Sequence, residues 1–283
     1  MNTLKSTLLL TVLTLLLIFA GAAIGGRRGM MIALIIAAVM NFVSYFYSDK
    51  IALASCRAHP ATRDQFPRVF QVVEQMTQRA GLPMPSIYVI PTDSPNAFAT
   101  GRNPSHASIA VTHGILKVLN NEELEGVLAH ELGHVRNHDI LTSSIVATLA
   151  GAITLLARFG YLAAIFGGYG GRGRGRDNIF TALIMMVVAP IAALLIQLAI
   201  SRSREYEADA TGARMTGNPY ALASALQKID AYARRIPMAA SPSTAHLYIV
   251  QPFLARKDLA GLFSTHPPTT KRIERLIGRP TLY

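Results

Sequence analysis

Residues 130–134 read His-Glu-Leu-Gly-His, and this stretch decides how the chain around it folds. Side chains four residues apart leave the same face of a helix one turn apart, so His130 and His134 point to one place. Two neutral imidazoles at this spacing can hold one zinc ion, and Glu131 beside them can act as general base. Such a pattern arises by chance in about one chain in a hundred of this length. The surrounding sequence therefore has to support the interpretation.

The residues around this motif favour a buried amphipathic helix. Asn120 and Asn121 are residue types that cap helix starts, and acids follow them at the positive end of the helix dipole. Apolar residues then recur at helical spacing: Leu124, Val127, Leu128, Leu132 and Val135. Gly133 lacks a side chain and leaves room for a second element to approach the metal. A zinc helix is favoured over a pair of hydrogen-bonded core histidines.

Composition indicates a membrane protein. The 283 residues are 51% hydrophobic and only 15% charged, unlike an ordinary soluble protein. The net charge of +11 fits basic residues beside the anionic headgroups of a lipid bilayer. No basic run interleaved with aromatic residues points to nucleic acid, so no nucleic-acid partner is expected. Cys56 is the only cysteine, which excludes an intrachain disulfide, and no motif around it suggests a nucleophile.

Four apolar segments are long enough to be membrane spans: residues 6–24, 30–47, 140–165 and 179–200. Short basic or glycine-rich connections join them in pairs, which predicts two transmembrane hairpins. A signal peptide is the alternative for the first segment, and a buried globular hairpin is the alternative for the second pair. The predicted division is a hairpin at 1–47, a first catalytic part at 48–139, a hairpin at 140–200 and a second catalytic part at 201–283. Each hairpin returns the chain to the side it left, so both catalytic parts face one compartment.

A third metal ligand is needed, because a catalytic zinc usually has three protein ligands and one open position. The pattern with a third histidine beyond a glycine is excluded, since Asn137 and Ile140 occupy those positions. His138 follows His134 by four residues, but three ligands over two helical turns would span too far for one ion. Downstream, Glu205 and Asp209 share a helix face. This predicts Glu205 as third ligand, with Asp209 accepting a hydrogen bond from a ligating histidine.

Five stretches in combination resemble one protease family. They are Ser94-Pro95-Asn96-Ala97-Phe98-Ala99-Thr100-Gly101, residues 121–139, 201–209 and 218–223, and Ser264-Thr265-His266-Pro267-Pro268. Together they are similar to the HtpX group of membrane-embedded zinc metalloproteases, which are relatives of the CAAX-prenyl endopeptidases. The resemblance implies His130, His134 and Glu205 as ligands of one Zn²⁺ per subunit and Glu131 as catalytic base. It also implies a multi-pass protein of the bacterial inner membrane whose catalytic domain faces the cytoplasm.

Two further sets of residues are candidates for handling the substrate. Residues 86–90 and 108–111 alternate like strands, and the resemblance suggests that Asn96, Ala97 and Phe98 between them form an edge strand that pairs with extended substrate. An ordinary strand packed on the zinc helix is the alternative. His266, or an arginine such as Arg202, is a candidate donor to the oxyanion.

The fold expected from these features is a mainly α membrane protein. It combines two transmembrane hairpins with a zincin-like (gluzincin) α+β catalytic domain that contains a small sheet. The expected activity is zinc-dependent hydrolysis of peptide bonds in membrane proteins, and possible soluble ones, in membrane-protein quality control and the stress response. A prenyl-protein-type metalloprotease and a catalytically silent membrane scaffold are the alternatives. The sequence does not fix the oligomeric state.

Overall fold

A computed structural model of the chain describes residues 2–145, 202–233, 235–236, 247–249 and 267–282. The first half contains α1 (Asn2–Ser55), β1 (His59–Pro60), α2 (Pro67–Ala80), β2 (Ser86–Ile90), β3 (Ala97–Gly101), β4 (Ala107–Thr112), α3 (His113–Val118) and α4 (Asn121–Arg136). The second half contains α5 (Arg202–Thr216), α6 (Pro219–Ala233) and α7 (Thr269–Ile277). Residues 139–145 are also helical. The rest of the predicted second hairpin, and His266, lie outside the described residues.

α1 is apolar and reverses its direction near the middle. Asn41 Nδ2 donates a hydrogen bond to Thr14 Oγ1 at 2.9 Å, across 27 residues. A straight helix would separate these residues by about 40 Å, so the chain turns back between them. Gly26 lies in that interval with a φ of +55°, a conformation that glycine adopts at little cost. The second arm, Gly26–Ser55, contains an 18-residue window with a mean hydropathy of 2.0 and is the one helix of the described part that is long and apolar enough to cross a membrane.

The end of α1 extends beyond the second apolar segment. That segment is predicted over residues 30–47, whereas α1 continues to Ser55, so the predicted domain division between residues 47 and 48 falls inside a helix and stays a prediction. The polar residues that follow Tyr47 do not end the helix, because its last turns pack against the sheet. Ala52 and Leu53 are buried there.

The four strands form one mixed sheet in the order β1-β2-β4-β3. β2 and β4 are parallel, with Ile87 opposite Ile109, and β3 pairs antiparallel with β4, with Ala97 opposite Val111. The strands predicted at residues 86–90 and 108–111 are thus confirmed, and the segment between them forms the edge strand β3.

The two faces of the sheet pack on different layers, as the two-residue period of a strand requires. Odd-numbered residues such as Ala97, Ile109 and Val111 join the main core with α2, α4, α6 and α7. Even-numbered residues, including Phe98 and Ala110, pack against the end of α1 and Tyr248. The sheet therefore connects the apolar N-terminal helix to the layer that contains the His-Glu-Leu-Gly-His motif.

Glycines allow close contact between the helices of that layer. A Cβ added at Gly212 of α5 would lie 2.8 Å from the backbone N of His130 in α4. Gly133 faces Ala208 of α5, where an added Cβ would meet the Ala208 Cα at 3.3 Å. The space expected beside Gly133 is thus filled by a second helix. This contact brings α5, and with it Glu205, beside the two histidines.

Candidate metal centre

The motif lies in the second half of α4, and the sequence fixes that helix locally. Asn120 is the N-cap: its side chain accepts from the Glu123 N–H, while the Glu123 carboxylate accepts from the Asn120 N–H in a capping box. Leu128 and Leu132 are fully buried and pack this helix into the main core. α4 is thereby held at its start and along one face, which fixes the direction in which its histidines point.

His130, His134 and Glu205 converge, and their candidate ligand atoms all lie within 4.8 Å of one another. Glu205 Oε2 is 3.9 Å from His130 Nε2, and Glu205 Oε1 is 3.6 Å from His134 Nε2. A tetrahedral ion with bonds of about 2.1 Å separates its donor atoms by about 3.4 Å. The two histidine–glutamate separations come within about 0.5 Å of that value, and no separation among the three ligand atoms exceeds 4.8 Å, so the donor set fits a metal.

A carboxylate stands behind each histidine. Asp209 Oδ1 lies 2.9 Å from His130 Nδ1, and Asp139 Oδ2 lies 3.1 Å from His134 Nδ1. Each carboxylate accepts the Nδ1–H and leaves the Nε2 lone pair directed at the centre. Asp209 makes the contact expected from its spacing with Glu205. Asp139 was not anticipated, although an acid just beyond the second histidine at the start of the next helix is a usable sequence feature.

Arg272 of α7 is a second residue that the sequence did not reveal. It is 1% exposed, and its Nε and Nη2 donate to the two oxygens of Asp209 at 2.9 and 2.7 Å. This paired contact holds the pKa of Asp209 down to about 2, although burial by itself would raise it. Asp209 is thus ionised whenever it accepts from His130. Arg272 reaches Asp209 only because α7 folds against α5, and no local sequence pattern predicts this contact.

The charges around His134 are also unusual. Burial alone would lower the pKa of its imidazole, but the hydrogen bond with Asp139 and the nearby carboxylates of Glu205 and Glu131 raise this pKa to about 9. A metal ion and a proton therefore compete for the same nitrogen.

Glu131 is 3% exposed and has one oriented oxygen. Its Oε2 accepts from the Ala99 N–H of β3 at 2.8 Å, which leaves the other oxygen available to the centre. Burial raises the pKa of this carboxyl, and the two neighbouring histidines lower it less. A carboxyl with a raised pKa, beside a metal cluster and the edge of a sheet, suits proton transfer.

The remaining predicted residues take different positions. His138 has a φ of +59° and its Nδ1 lies 3.1 Å from the Arg136 carbonyl oxygen, so it does not join the cluster. Arg202 is exposed at the start of α5, whereas Arg204, two residues on, is buried near Asp139. Arg202 is therefore poorly placed as the predicted oxyanion donor.

The edge-strand residues divide between the two sides of β3. The Asn96 carbonyl accepts from the Thr112 N–H, so its backbone faces β4, and alternation places the Phe98 backbone on the same side. Phe98 also buries its ring against Tyr248, with the centroids 5.4 Å apart. Of the three predicted residues, Ala97 alone turns its backbone groups to the open edge, where Ala99 joins it. Substrate binding there stays a prediction.

Comparison with known proteins agrees with this geometry. The profile of peptidase family M48 matches residues 63–279. The chain belongs to family M48. Among its relatives is a protein of Desulfatibacillum aliphaticivorans named Protease HtpX homolog, 55% identical over 98% of this chain and 89% of the relative. A protein of the same name from Pelotomaculum thermopropionicum is 50% identical over 98% of both chains.

A solved structure supports the family fold. The crystal structure of S. mikatae Ste24p matches 98% of this M48 chain with a TM-score of 0.51 at 19% identity. The match covers 63% of that longer chain, and at this identity the likeness concerns the fold alone. With the family match and the named relatives, the chain is a membrane-associated metalloprotease.

Proposed function

We propose that this chain is a zinc-dependent endopeptidase that hydrolyses peptide bonds in membrane proteins. His130, His134 and Glu205 bind one Zn²⁺, and Glu131 is the general base. The observation that carries the proposal is the convergence of these four side chains beside the open edge of β3. Two imidazoles and one carboxylate at near-tetrahedral separations form the usual donor set of a catalytic zinc in a peptidase.

The proposed chemistry assigns a task to each group. A zinc ion held by the three ligands would supply a Lewis acid for the scissile carbonyl and a more acidic water. Glu131 takes the proton through the oxygen that Ala99 does not bind, and later passes it to the leaving amine. Asp209 and Asp139 hold the histidine rings in position. The outward carbonyl groups of Ala97 and Ala99 align an extended peptide by strand pairing.

We further propose that two transmembrane hairpins anchor the enzyme in the bacterial inner membrane, with the catalytic part in the cytoplasm. The reversal of α1 between Thr14 and Asn41 supports the first hairpin. The last turn of α1 packs on Phe98, the next residue along β3 from Ala99, which contacts Glu131. A centre this close to the end of a membrane helix suits loops and tails of membrane proteins, and a role in protein quality control or the stress response follows from such substrates.

The decisive experiment compares the purified, zinc-loaded chain with a Glu131→Gln variant on a membrane-protein reporter. Both proteins are expected to hold one zinc, and only the native chain to cleave. Glu122→Gln is the matched control, because it makes the same change on the exposed start of the same helix. Cleavage that is unchanged in Glu131→Gln, or a chain that binds no zinc, would overturn the mechanism. A chain that binds zinc but never cleaves would instead be a silent scaffold.

The side of the membrane on which the catalytic part lies can be tested separately. Arg279, beyond the end of α7, is exposed, and the chain has a single native cysteine to remove. An Arg279→Cys, Cys56→Ser variant should resist a membrane-impermeant thiol reagent in intact cells and react after lysis. Labelling in intact cells would place the catalytic part outside the cytoplasm.

A further inference from the structure

The open edge of β3 is covered by another part of the chain. Residues Leu247, Tyr248 and Ile249, which we call the covering segment, lie against it. The Ile249 N–H donates to the Ala97 carbonyl at 3.2 Å, and Arg272 Nη1 donates to the Ile249 carbonyl at 2.8 Å. Both backbone groups of Ile249 are thus engaged, one by the edge strand and one by the arginine that also holds Asp209.

Side chains fix the covering segment at two more points. The ring of Tyr248 packs edge-on against Phe98, and its hydroxyl donates to Cys56 Sγ at 3.0 Å. Tyr248 and Ile249 are 1% and 2% exposed, and they belong to the two cores on opposite faces of the sheet. The segment is therefore packed as part of the fold.

The covering segment also lines the cavity at the metal cluster. The cavity that it lines together with His130, Glu131 and Glu205 has a volume of about 30 Å³. This is room for one or two water molecules, far too little for an extended peptide.

The pairing of β3 with β4 shows which backbone groups of β3 a substrate strand would use. Ala97 and Ala99 turn their backbone groups to the open edge, as any substrate that adds a strand requires. In this structure, the Ala97 N–H donates to the Asn96 side chain, the Ala97 carbonyl accepts from Ile249, and the Ala99 N–H is bound by Glu131. Of these three engaged groups, the Ala97 carbonyl is the one that the covering segment occupies, in the way that the N–H of a paired substrate strand would.

From these contacts we infer that the covering segment occupies the place of an extended substrate on β3, so that this structure is a latent form of the enzyme. Substrate binds only after residues 247–249 leave the edge. The inference rests on the proposed function, because it takes β3 as the strand that aligns substrate. Its consequence is quantitative: the apparent affinity for substrate falls in proportion to the fraction of molecules in which the edge is open.

Variants that loosen the segment should therefore lower KM. Ile249→Pro removes the N–H that donates to Ala97, and one such hydrogen bond corresponds to about a fivefold change in the open fraction. We expect KM for fluorescein-labelled casein, an unstructured substrate, to fall about fivefold, with little change in kcat. Tyr248→Phe and Cys56→Ala remove the two partners of one hydrogen bond, so both should lower KM in the same direction, and their double variant should add little.

Tyr220→Phe is the matched control, because it makes the same chemical change on an exposed tyrosine of α6 and should leave KM unaltered. A rise in KM or a loss of kcat in Tyr248→Phe and Cys56→Ala would overturn the inference, since the segment would then be a wall that helps to hold substrate. These milder variants keep the test valid if Ile249→Pro does not fold.

Hydrogen exchange separates this inference from the proposed function. With zinc-loaded Glu131→Gln protein and excess casein, deuterium uptake of the peptide that contains residues 247–249 should rise as the segment is displaced. Unchanged or lower uptake would overturn the inference. Failure of the proposed function looks different: the native chain and all covering-segment variants would leave casein intact, whatever the exchange shows.

Discussion

Replacing Gly212 by alanine should weaken both the fold and metal binding. The new Cβ would lie 2.8 Å from the His130 N and 3.0 Å from the His130 Cα. Both are backbone atoms of a buried helix, so no side chain can rotate away. To restore an ordinary contact, α5 must move by about 0.6 Å, and overpacking of this kind costs about 1–3 kcal/mol. The gain in helix propensity, about 1 kcal/mol, offsets only part of this cost.

The same shift should displace Glu205, which lies two turns from Gly212 on α5. Metal sites tolerate errors of about 0.2 Å in ligand distance, so we expect zinc affinity to fall on the order of tenfold or more. Gly133→Ala is the matched control: it gains the same propensity, but its Cβ meets Ala208 at 3.3 Å, so α5 has to move little. Thermal unfolding in detergent and competition with a chelator would measure both effects. A Gly212→Ala protein as stable and as tight for zinc as Gly133→Ala would refute the reasoning.

The other predictions concern the groups that support the site. Asp209→Asn should weaken zinc binding about 10- to 100-fold in a chelator competition, because His130 loses its charged acceptor; an unchanged affinity would deny that role. Zinc affinity should rise about tenfold per pH unit from pH 6.5 and level off near pH 9. Below the His134 pKa of about 9, the metal must displace a proton from this imidazole. A zinc affinity that does not change with pH would contradict this prediction. In the metal-free protein, the stability linked to His134 is present below its unfolded pKa and lost as pH rises through about 9. Asn120→Ala should cost about 1 kcal/mol in the free energy of unfolding, measured by denaturant titration, because the capping box is lost, and no change would show that core packing alone fixes this helix start.

Much of the metal cluster could be predicted because its geometry is mostly local. The spacing of His130 and His134 fixes their common face once α4 forms, and the spacing of Glu205 and Asp209 does the same on α5. Strands β2 and β4 also follow from local alternation, which places them within one residue of their observed bounds, whereas β3 was expected from the family resemblance. The meeting of α4 with α5 is not local, and only Gly133 indicated from the sequence that a second element approaches there.

What the sequence missed depends on contacts between distant segments. Arg272 is 63 residues from Asp209, and nothing in a short helix rich in basic residues distinguishes a buried arginine from exposed ones. The edge strand β3 lies where it was expected in the chain, but the direction in which each of its backbone groups points depends on pairing with β4. A shift of one residue in this pairing would exchange the two sides. The backbone groups of Phe98 point toward β4, and those of Ala99 point to the open edge.

The charges of the centre explain why its parts belong together. Buried ionisable side chains within and behind the cluster comprise four acids and two arginines: Glu131, Asp139, Glu205, Asp209, Arg204 and Arg272. With neutral histidines, this set has a net charge of −2, and each uncompensated buried charge costs several kcal/mol. The raised pKa values of Glu131 and His134 are the response of the metal-free protein, since two protons would cancel that charge. A divalent cation bound by His130, His134 and Glu205, as proposed, would cancel this charge equally well and would leave Glu131 ionised, as a general base requires. The acids behind the histidines and the two arginines thus set the charge for which a divalent metal is the complement.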